Sequence, residues 1–278
     1  MTRPARDGRA AERGTWGIAV LDRLAAMSDR WARVWFGSTA LVASAAVTLQ
    51  LIMSASHAHG HFTSAGGRVI NQLCYFTIES NVLIAVTTAL LAIRLTRTSP
   101  VFGVFRVAGV VGIAITALVY HTVLAGLAHL TGWWVVTDAL LHTVVPAMAI
   151  LGWLLFGPRR AASWRLTALS LVYPVGYLVI TLIRGALVGW YPYPFVDVDQ
   201  LGYPGVLLNA LMMAVLFIVV AAAVTGVDGW LYRRGGLPDR GPAADALDLR
   251  GAVGAEVPGG TAPSGARRRA PDGGSPIT

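Results

Sequence analysis

Lysine is absent from this chain of 278 residues, and its 22 basic side chains are all arginines. Cysteine is nearly absent, because Cys74 is the only one. One thiol cannot close an intrachain disulfide and cannot build a thiolate metal site. Charge is also scarce, since 13% of the residues are charged, against about 25% in soluble domains. The composition therefore excludes an ordinary soluble fold and predicts a surface that meets lipid.

The sequence also lacks the short motifs of several enzyme classes. It contains no G-x-S-x-G elbow, no H-E-x-x-H pair and no P-loop. Serine-elbow hydrolases, zinc proteases and ATPases therefore have no support from motifs, and no cofactor is predicted. The net charge of +8 does not indicate a nucleic-acid partner, because the arginines lie in tails and short loops beside apolar runs, where they orient membrane proteins.

Six apolar windows are present, each long enough to cross a bilayer. A helix rises about 1.5 Å per residue and needs about 20 apolar residues to span the hydrocarbon layer. The windows predict an all-α polytopic membrane protein with six transmembrane helices. They lie at Val34–Met53, Tyr75–Ile93, Val107–Leu127, Ala139–Phe156, Leu166–Val188 and Val206–Val224.

Arginines alternate along the chain between rich and poor connections. Both tails and the second and fourth connections are arginine-rich, whereas the other three connections hold only Arg68. This asymmetry predicts that both termini lie in the cytoplasm. Because a lysine-free chain indicates a GC-rich coding genome, we expect a bacterial plasma membrane. The predicted domains are a cytoplasmic N-terminal segment at 1–30, the six-helix transmembrane domain at 31–233, and a disordered, Gly-, Pro- and Arg-rich cytoplasmic tail at 234–278.

Strongly polar residues of the predicted helices lie mostly in the outer half of the membrane. An ionisable group in a bilayer is costly unless it is paired or faces a cavity. The clustering therefore predicts one shared polar site that opens to the outer face. A hydrogen-bond network that only joins helices is the alternative. The cluster comprises Gln50, Thr77, Glu79, Asn81, Tyr120, His121, Asp138, His142, Arg184 and Asn209.

Two pairs in this cluster are spaced by four residues. Thr77 and Asn81 share one helix face, and Asp138 and His142 share another. The Asp138 carboxylate can hold the second ring nitrogen of the His142 imidazole. A membrane threonine often bonds back to a helix carbonyl, and a core histidine is often satisfied by a neighbour, so purely structural roles remain open.

Other polar residues allow further pairings. Glu79 and Arg184 lie at matching depth, which predicts a buried ion pair. His121 can be a packing residue, a second base or a ligand. Aromatic residues at the outer helix ends are typical of the interfacial belt. They are Trp133, Trp134, Trp190, Tyr191, Tyr193 and Phe195.

The first outer loop carries three histidines at alternate positions, His57, His59 and His61. In an extended segment the three imidazoles share a face, and neutral imidazole suits zinc, copper or nickel. No carboxylate or thiol stands beside them, so they are weak metal candidates and a solvated polar loop is the alternative.

Three stretches resemble the androgen-induced-gene family of membrane proteins. Tyr75–Asn81 is similar to that family's tyrosine–hydrophobic–threonine signature, and Asp138–Thr143 is similar to its histidine–threonine motif. Arg184–Phe195 is similar to the arginine and tyrosine–proline pattern of its bacterial relatives. The resemblance covers about residues 31–233 and agrees with a six-helix frame.

Eukaryotic members of that family are threonine hydrolases that cleave fatty acid esters of hydroxy fatty acids. The resemblance implies an intramembrane hydrolase of a lipid ester, with Thr77 as the nucleophile and His142 as the base. Asp138 would orient the imidazole, and Asn81 or Arg184 would supply donors for the oxyanion. The bilayer and a lipid ester are the implied partners.

Two other classes of function stay open from the residues. One is a non-catalytic structural or transport protein whose polar cluster binds a small solute. The other is a haem or metal protein in which His121 and His142 are axial ligands at similar depth.

Overall fold

The structure is a computed structural model that describes residues 7–57, 60–97, 99–127, 129–157 and 163–234, with side chains from residue 27 onward. Within these ranges the chain is helical and forms no β-strand. The helices, in chain order, are α1 (Asp7–Ser56), α2 (Ala65–Leu73), α3 (Phe76–Ile93), α4 (Pro100–Leu124), α5 (Trp133–Phe156), α6 (Trp164–Val188) and α7 (Val198–Arg234).

All of these helices except α2 are long and apolar enough to cross a membrane, and Met27–Ser56 is the spanning part of α1. The prediction of an all-α protein with six transmembrane helices is therefore confirmed, and the orientation of the termini stays a prediction from the arginines. Helix α1 runs without a break across the predicted domain boundary at residue 30. Residues 235–278 of the predicted tail lie outside the described residues.

The spanning helices extend beyond the predicted windows where those windows met charge. Helix α4 begins seven residues before Val107, and α7 continues ten residues past Val224. The added segments contain Arg106 and Asp228, which are 2% and 0% exposed. The expectation that polar membrane residues gather almost entirely at one end was wrong, because these two charges are buried at the end of the bundle opposite Thr77.

An apolar layer separates the two ends of the bundle. Its residues come from α1, α3, α4 and α5 and are buried against one another. They are Ala43, Ile84, Ala85, Ile113, Val145 and Ala149. The threonines beside this layer, Thr87 and Thr88, donate their hydroxyl hydrogens to carbonyls of their own helix, as membrane threonines commonly do.

Small residues let α3 pack closely against α4. A Cβ atom added to Gly112 would lie 3.1 Å from Ser80 Oγ, and one added to Gly109 would lie 3.4 Å from Ile84 Cδ1. Helices in lipid gain most of their association from such close contact. Helix α3, which carries Thr77, is thereby held between α1 and α4.

Arg68, in the connection between α1 and α3, caps the C-terminal end of α1. Its guanidinium donates to the carbonyls of Ser54 and Ala55 at 2.9 and 2.6 Å, and to that of Thr63 at 2.7 Å. The last carbonyls of a helix have no partner within the helix, and a cation there also suits the helix dipole. The connection that includes α2 is therefore fastened to the bundle.

Helices α4 and α5 each contain a π-helical turn. The turns span Tyr120–Leu124 and Leu140–Val144. A π turn inserts one extra residue and changes which side chains face the bundle, and it often occurs at functional sites. The second turn ends just before Pro146, where the missing N–H of proline predicts a distortion.

Candidate functional site

Thr77 and His142 meet between α3 and α5. Thr77 Oγ1 lies 3.3 Å from His142 Nε2. Thr77 is 8% exposed, and the His142 side chain is 15% exposed. A general base must come this close to the proton that it removes, and some looseness is usual before substrate binds.

Asp138 determines the tautomer of His142. The imidazole Nδ1 lies 3.0 Å from Asp138 Oδ1 and 3.1 Å from the main-chain oxygen of Asp138. Both of these atoms are acceptors, so Nδ1 carries the proton and donates. In the neutral imidazole, Nε2 is then left with its lone pair facing Thr77.

Tyr120 holds Asp138 and His142 together. Its hydroxyl donates to Asp138 Oδ2, and its ring stacks on the His142 imidazole with centroids 3.9 Å apart and planes 11° apart. The sequence placed Tyr120 in the outer half without a role. Its position over the imidazole depends on how α4 and α5 pack, which no local pattern reveals.

Tyr193 approaches Thr77 from the connection between α6 and α7. Its hydroxyl oxygen lies 3.4 Å from Thr77 Oγ1 and accepts a hydrogen bond from the Thr77 N–H at 3.2 Å. Tyr193 and Tyr191 are each 8% exposed, so both side chains are buried within the bundle. Burial raises the pKa of Tyr193, so its phenol stays protonated at neutral pH.

The first N–H groups of α3 are capped by tyrosines. Tyr75 stands at the N-cap without a side-chain bond to the helix. The Phe76 N–H instead donates to the Tyr177 hydroxyl at 3.2 Å, and that hydroxyl donates to the Cys74 carbonyl at 3.1 Å. With Tyr193 on Thr77, two phenols satisfy donors that a helix start leaves unpaired.

Asn81 joins α3 to α5 through main-chain atoms. Its Nδ2 donates to the carbonyls of Thr77 at 2.8 Å and Leu141 at 3.2 Å. Both amide hydrogens are therefore used, and Asn81 fixes the spacing of the two helices that carry Thr77 and His142.

Arg184 lies beside the α1–α3 and α6–α7 connections rather than at Thr77. Its guanidinium donates to Asn71 Oδ1 at 2.9 Å and lies over the rings of Phe62 and Trp190. The predicted ion pair with Glu79 does not form among the described residues. Arg184 thus ties α6 to the segment around α2.

A cavity of about 220 Å³ adjoins Thr77 on the side away from His142. It exceeds the roughly 150 Å³ cavity that holds benzene in a protein core. Four spanning helices and the 193–196 segment form its walls, and their side chains are mostly aliphatic or aromatic. Thr77, Thr116, Tyr177 and Tyr193 are its only polar residues among the described ones.

The described histidines of the α1–α2 connection, His57 and His61, show no shared metal-binding geometry. The His57 ring lies edge-on to Trp134, His61 Nε2 lies 2.9 Å from the Val188 oxygen, and His59 is outside the described residues. Within the described part of the chain, no group of three His, Cys, Asp or Glu residues is placed to hold a metal ion.

His121 is paired with a different threonine. Its Nε2 lies 3.1 Å from Thr143 Oγ1. Tyr120 contacts the rings of both His121 and His142. Axial ligation by these two histidines would therefore require Tyr120 to be displaced.

Gly185 explains how the connection after α6 reaches the site. A Cβ atom at this position would lie 2.0 Å from Tyr191 Cε1, so glycine alone lets the Tyr191 ring lie against α6. That contact anchors the segment that carries Tyr193. The Arg-Gly and Tyr-Pro-Tyr-Pro pattern was the available sequence signal, although it does not show where the tyrosines point.

Comparison of the chain with protein-family models, with curated proteins and with solved structures gives no match.

Proposed function

We propose that this integral membrane protein is a hydrolase that cleaves a fatty acyl ester, with Thr77 as nucleophile and His142 as general base. The observation that carries the proposal is the 3.3 Å contact between Thr77 Oγ1 and His142 Nε2. The opposite nitrogen of that imidazole is held by Asp138. A nucleophile, a base and an orienting carboxylate define this type of site by geometry and role, whatever the fold.

The reaction proceeds in two halves. Thr77 Oγ1 forms a bond to the acyl carbon while its proton passes to His142 Nε2, and the carbonyl electron pair moves onto oxygen. The intermediate then expels the alcohol, which takes the proton from Nε2 and leaves an acyl-threonine. Water attacks this ester with His142 as base, the carboxylic acid departs, and Thr77 regains its proton. One ester and one water give one acid and one alcohol.

The cavity beside Thr77 supports an acyl substrate. Its lining is mostly apolar, and it includes Thr77 itself together with Tyr193. Burying an alkyl chain there contributes about 0.8 kcal/mol per methylene. The resemblance of Tyr75–Asn81 and Asp138–Thr143 to the androgen-induced-gene family points to the same class of substrate.

An activity-based probe tests the proposal directly. An alkyl fluorophosphonate should label the purified protein, and peptide mapping should find the adduct on Thr77. Thr77→Ala and His142→Ala should each abolish labelling, because one removes the nucleophile and the other removes its base. Thr88→Ala, a buried threonine in the same helix, and His121→Ala are matched controls and should label normally. Normal labelling of Thr77→Ala would refute the mechanism.

A further inference from the structure

We propose that Tyr193 is a catalytic residue, whose phenolic hydroxyl donates the hydrogen bond that stabilises the oxyanion formed when Thr77 attacks the ester. Tyr193 can have this role only if the proposed function of Thr77 and His142 holds. Oxyanion donors are often the largest single contribution to catalysis of acyl transfer.

The contacts of the Tyr193 hydroxyl leave its hydrogen available. A phenol has one donor hydrogen and can accept as well. The oxygen already accepts from the Thr77 N–H at 3.2 Å, so the hydrogen must point elsewhere. Thr77 Oγ1 at 3.4 Å and the adjoining cavity, which Tyr193 lines, are the available directions. In the proposed reaction, the carbonyl oxygen of an ester attacked by Thr77 would lie between Thr77 Oγ1 and the cavity, within reach of this hydrogen.

The other candidate donors near Thr77 are already used. Both Asn81 amide hydrogens bond to carbonyls, and the Phe76 N–H bonds to Tyr177. Arg184 is held by Asn71. Among the described residues, Tyr193 is therefore the donor side chain that lies within 3.4 Å of Thr77 Oγ1 and does not donate to a main-chain carbonyl.

The surroundings of Tyr193 suit a donor that keeps its proton. Burial raises the pKa of the phenol, so the neutral form predominates throughout the reaction. A hydrogen bond in a site that excludes water is stronger than the same bond in solution. During attack, the carbonyl electron pair localises on oxygen and accepts from Tyr193, and it returns when the alcohol leaves.

The inactivation kinetics of an octyl fluorophosphonate test this role. Tyr193→Phe removes only the hydroxyl, so kinact should fall about 10²–10³-fold, the usual cost of one lost oxyanion donor. The KI should change by less than about threefold, because a donor used only in the transition state does not affect initial binding. Tyr191→Phe is the matched control, because it lies on the same segment with the same exposure and outside the cavity lining. It should match the wild type.

A second variant separates hydrogen-bond donation from mere packing. Replacing Tyr193 with 4-aminophenylalanine keeps the ring and supplies an N–H donor, so kinact should stay within about tenfold of the wild type. If this variant is as slow as Tyr193→Phe, the donor role is overturned. If Tyr193→Phe does not fold, the kinact of the 4-aminophenylalanine variant relative to the wild type is sufficient to test the donor role.

The outcomes distinguish this inference from the proposed function. Labelling of Tyr193→Phe at the wild-type rate, with Thr77→Ala silent, would remove Tyr193 from catalysis and leave Thr77 and His142 in place. A wild-type protein that the probe does not label at Thr77 would overturn both.

Discussion

The two carboxylate oxygens of Asp138 accept hydrogen bonds from different partners, and the two bonds affect His142 in different ways. Oδ1 accepts from the imidazole Nδ1 at 3.0 Å, which fixes the tautomer. Oδ2 accepts from Tyr120, which fixes the carboxylate. A base that becomes charged in the transition state is stabilised most by the partner that bears the opposite charge.

Asp138→Asn should therefore slow fluorophosphonate labelling much more than Tyr120→Phe. Losing the carboxylate should lower kinact about 10²–10⁴-fold, the range over which general base catalysis acts. Tyr120→Phe keeps the stacked ring and removes one hydrogen bond, so its kinact should fall only about tenfold. Equal rates for Asp138→Asn and the wild type would show that Asp138 has no part in activating Thr77.

Single residues also show the limit of sequence reasoning. The pairing of Asp138 with His142 could be predicted because a spacing of four places both on one helix face. The roles of Thr77 and His142 came instead from the resemblance of two short motifs to a known family. Tyr120 and Tyr193 received no catalytic role, because their partners lie on other helices. A tyrosine near a predicted interface is usually part of the aromatic belt, and only tertiary packing turned Tyr193 inward.

At the level of elements, the connection between α6 and α7 depends on one close contact. Gly185→Ala would place a methyl group 2.0 Å from the Tyr191 ring. The ring must move, and overpacking of this kind costs about 1–3 kcal/mol. We expect a lower Tm, measured by circular dichroism in detergent, and slower labelling of Thr77, since Tyr193 lies two residues beyond Tyr191.

Gly176→Ala is the matched control on the same helix. A Cβ atom there has no neighbour within 4 Å, so Tm and labelling should be unchanged or slightly improved. If Gly185→Ala behaves like Gly176→Ala, the Tyr191 contact does not position the segment.

Helices were predictable as elements because each spanning segment is a long apolar run. The ends of the helices could not be predicted in the same way, because the apolar windows of α4 and α7 stopped short of the charged residues Arg106 and Asp228. A window treats a charge as a boundary, whereas a charge that is buried in the bundle can lie within a spanning helix.

At the scale of the whole molecule, Arg106 on α4 and Asp228 on α7 are both buried at the end of the bundle opposite Thr77. Asp228 is the countercharge that acts on Arg106, and Arg106 lies over the Phe36 ring, 5.5 Å from its centroid. Among the described residues no group hydrogen-bonds the three guanidinium nitrogens. The opposite charge of Asp228 therefore matters more to this arginine than any single hydrogen bond.

Removing one of these two charges should lower the stability of the protein more than removing both. Arg106→Met or Asp228→Leu alone should cost about 3–5 kcal/mol, because one charge stays buried without its opposite, and the double variant should recover part of that loss. Thermal unfolding of the four proteins measures the coupling, with exposed Arg233→Met as control. Strictly additive losses would show that the two charges do not interact.

The apolar layer of Ala43, Ile84, Ile113 and Val145 lies between the Thr77 site and this charge pair. Thr87 and Thr88, beside the layer, donate their hydroxyl hydrogens to carbonyls of their own helix, so neither joins the two ends of the bundle. In the proposed reaction, the proton that His142 takes from Thr77 passes to the leaving alcohol on the same side of the layer. The proposed reaction therefore needs no proton from the far side of the layer, and we expect its rate to be independent of the pH there.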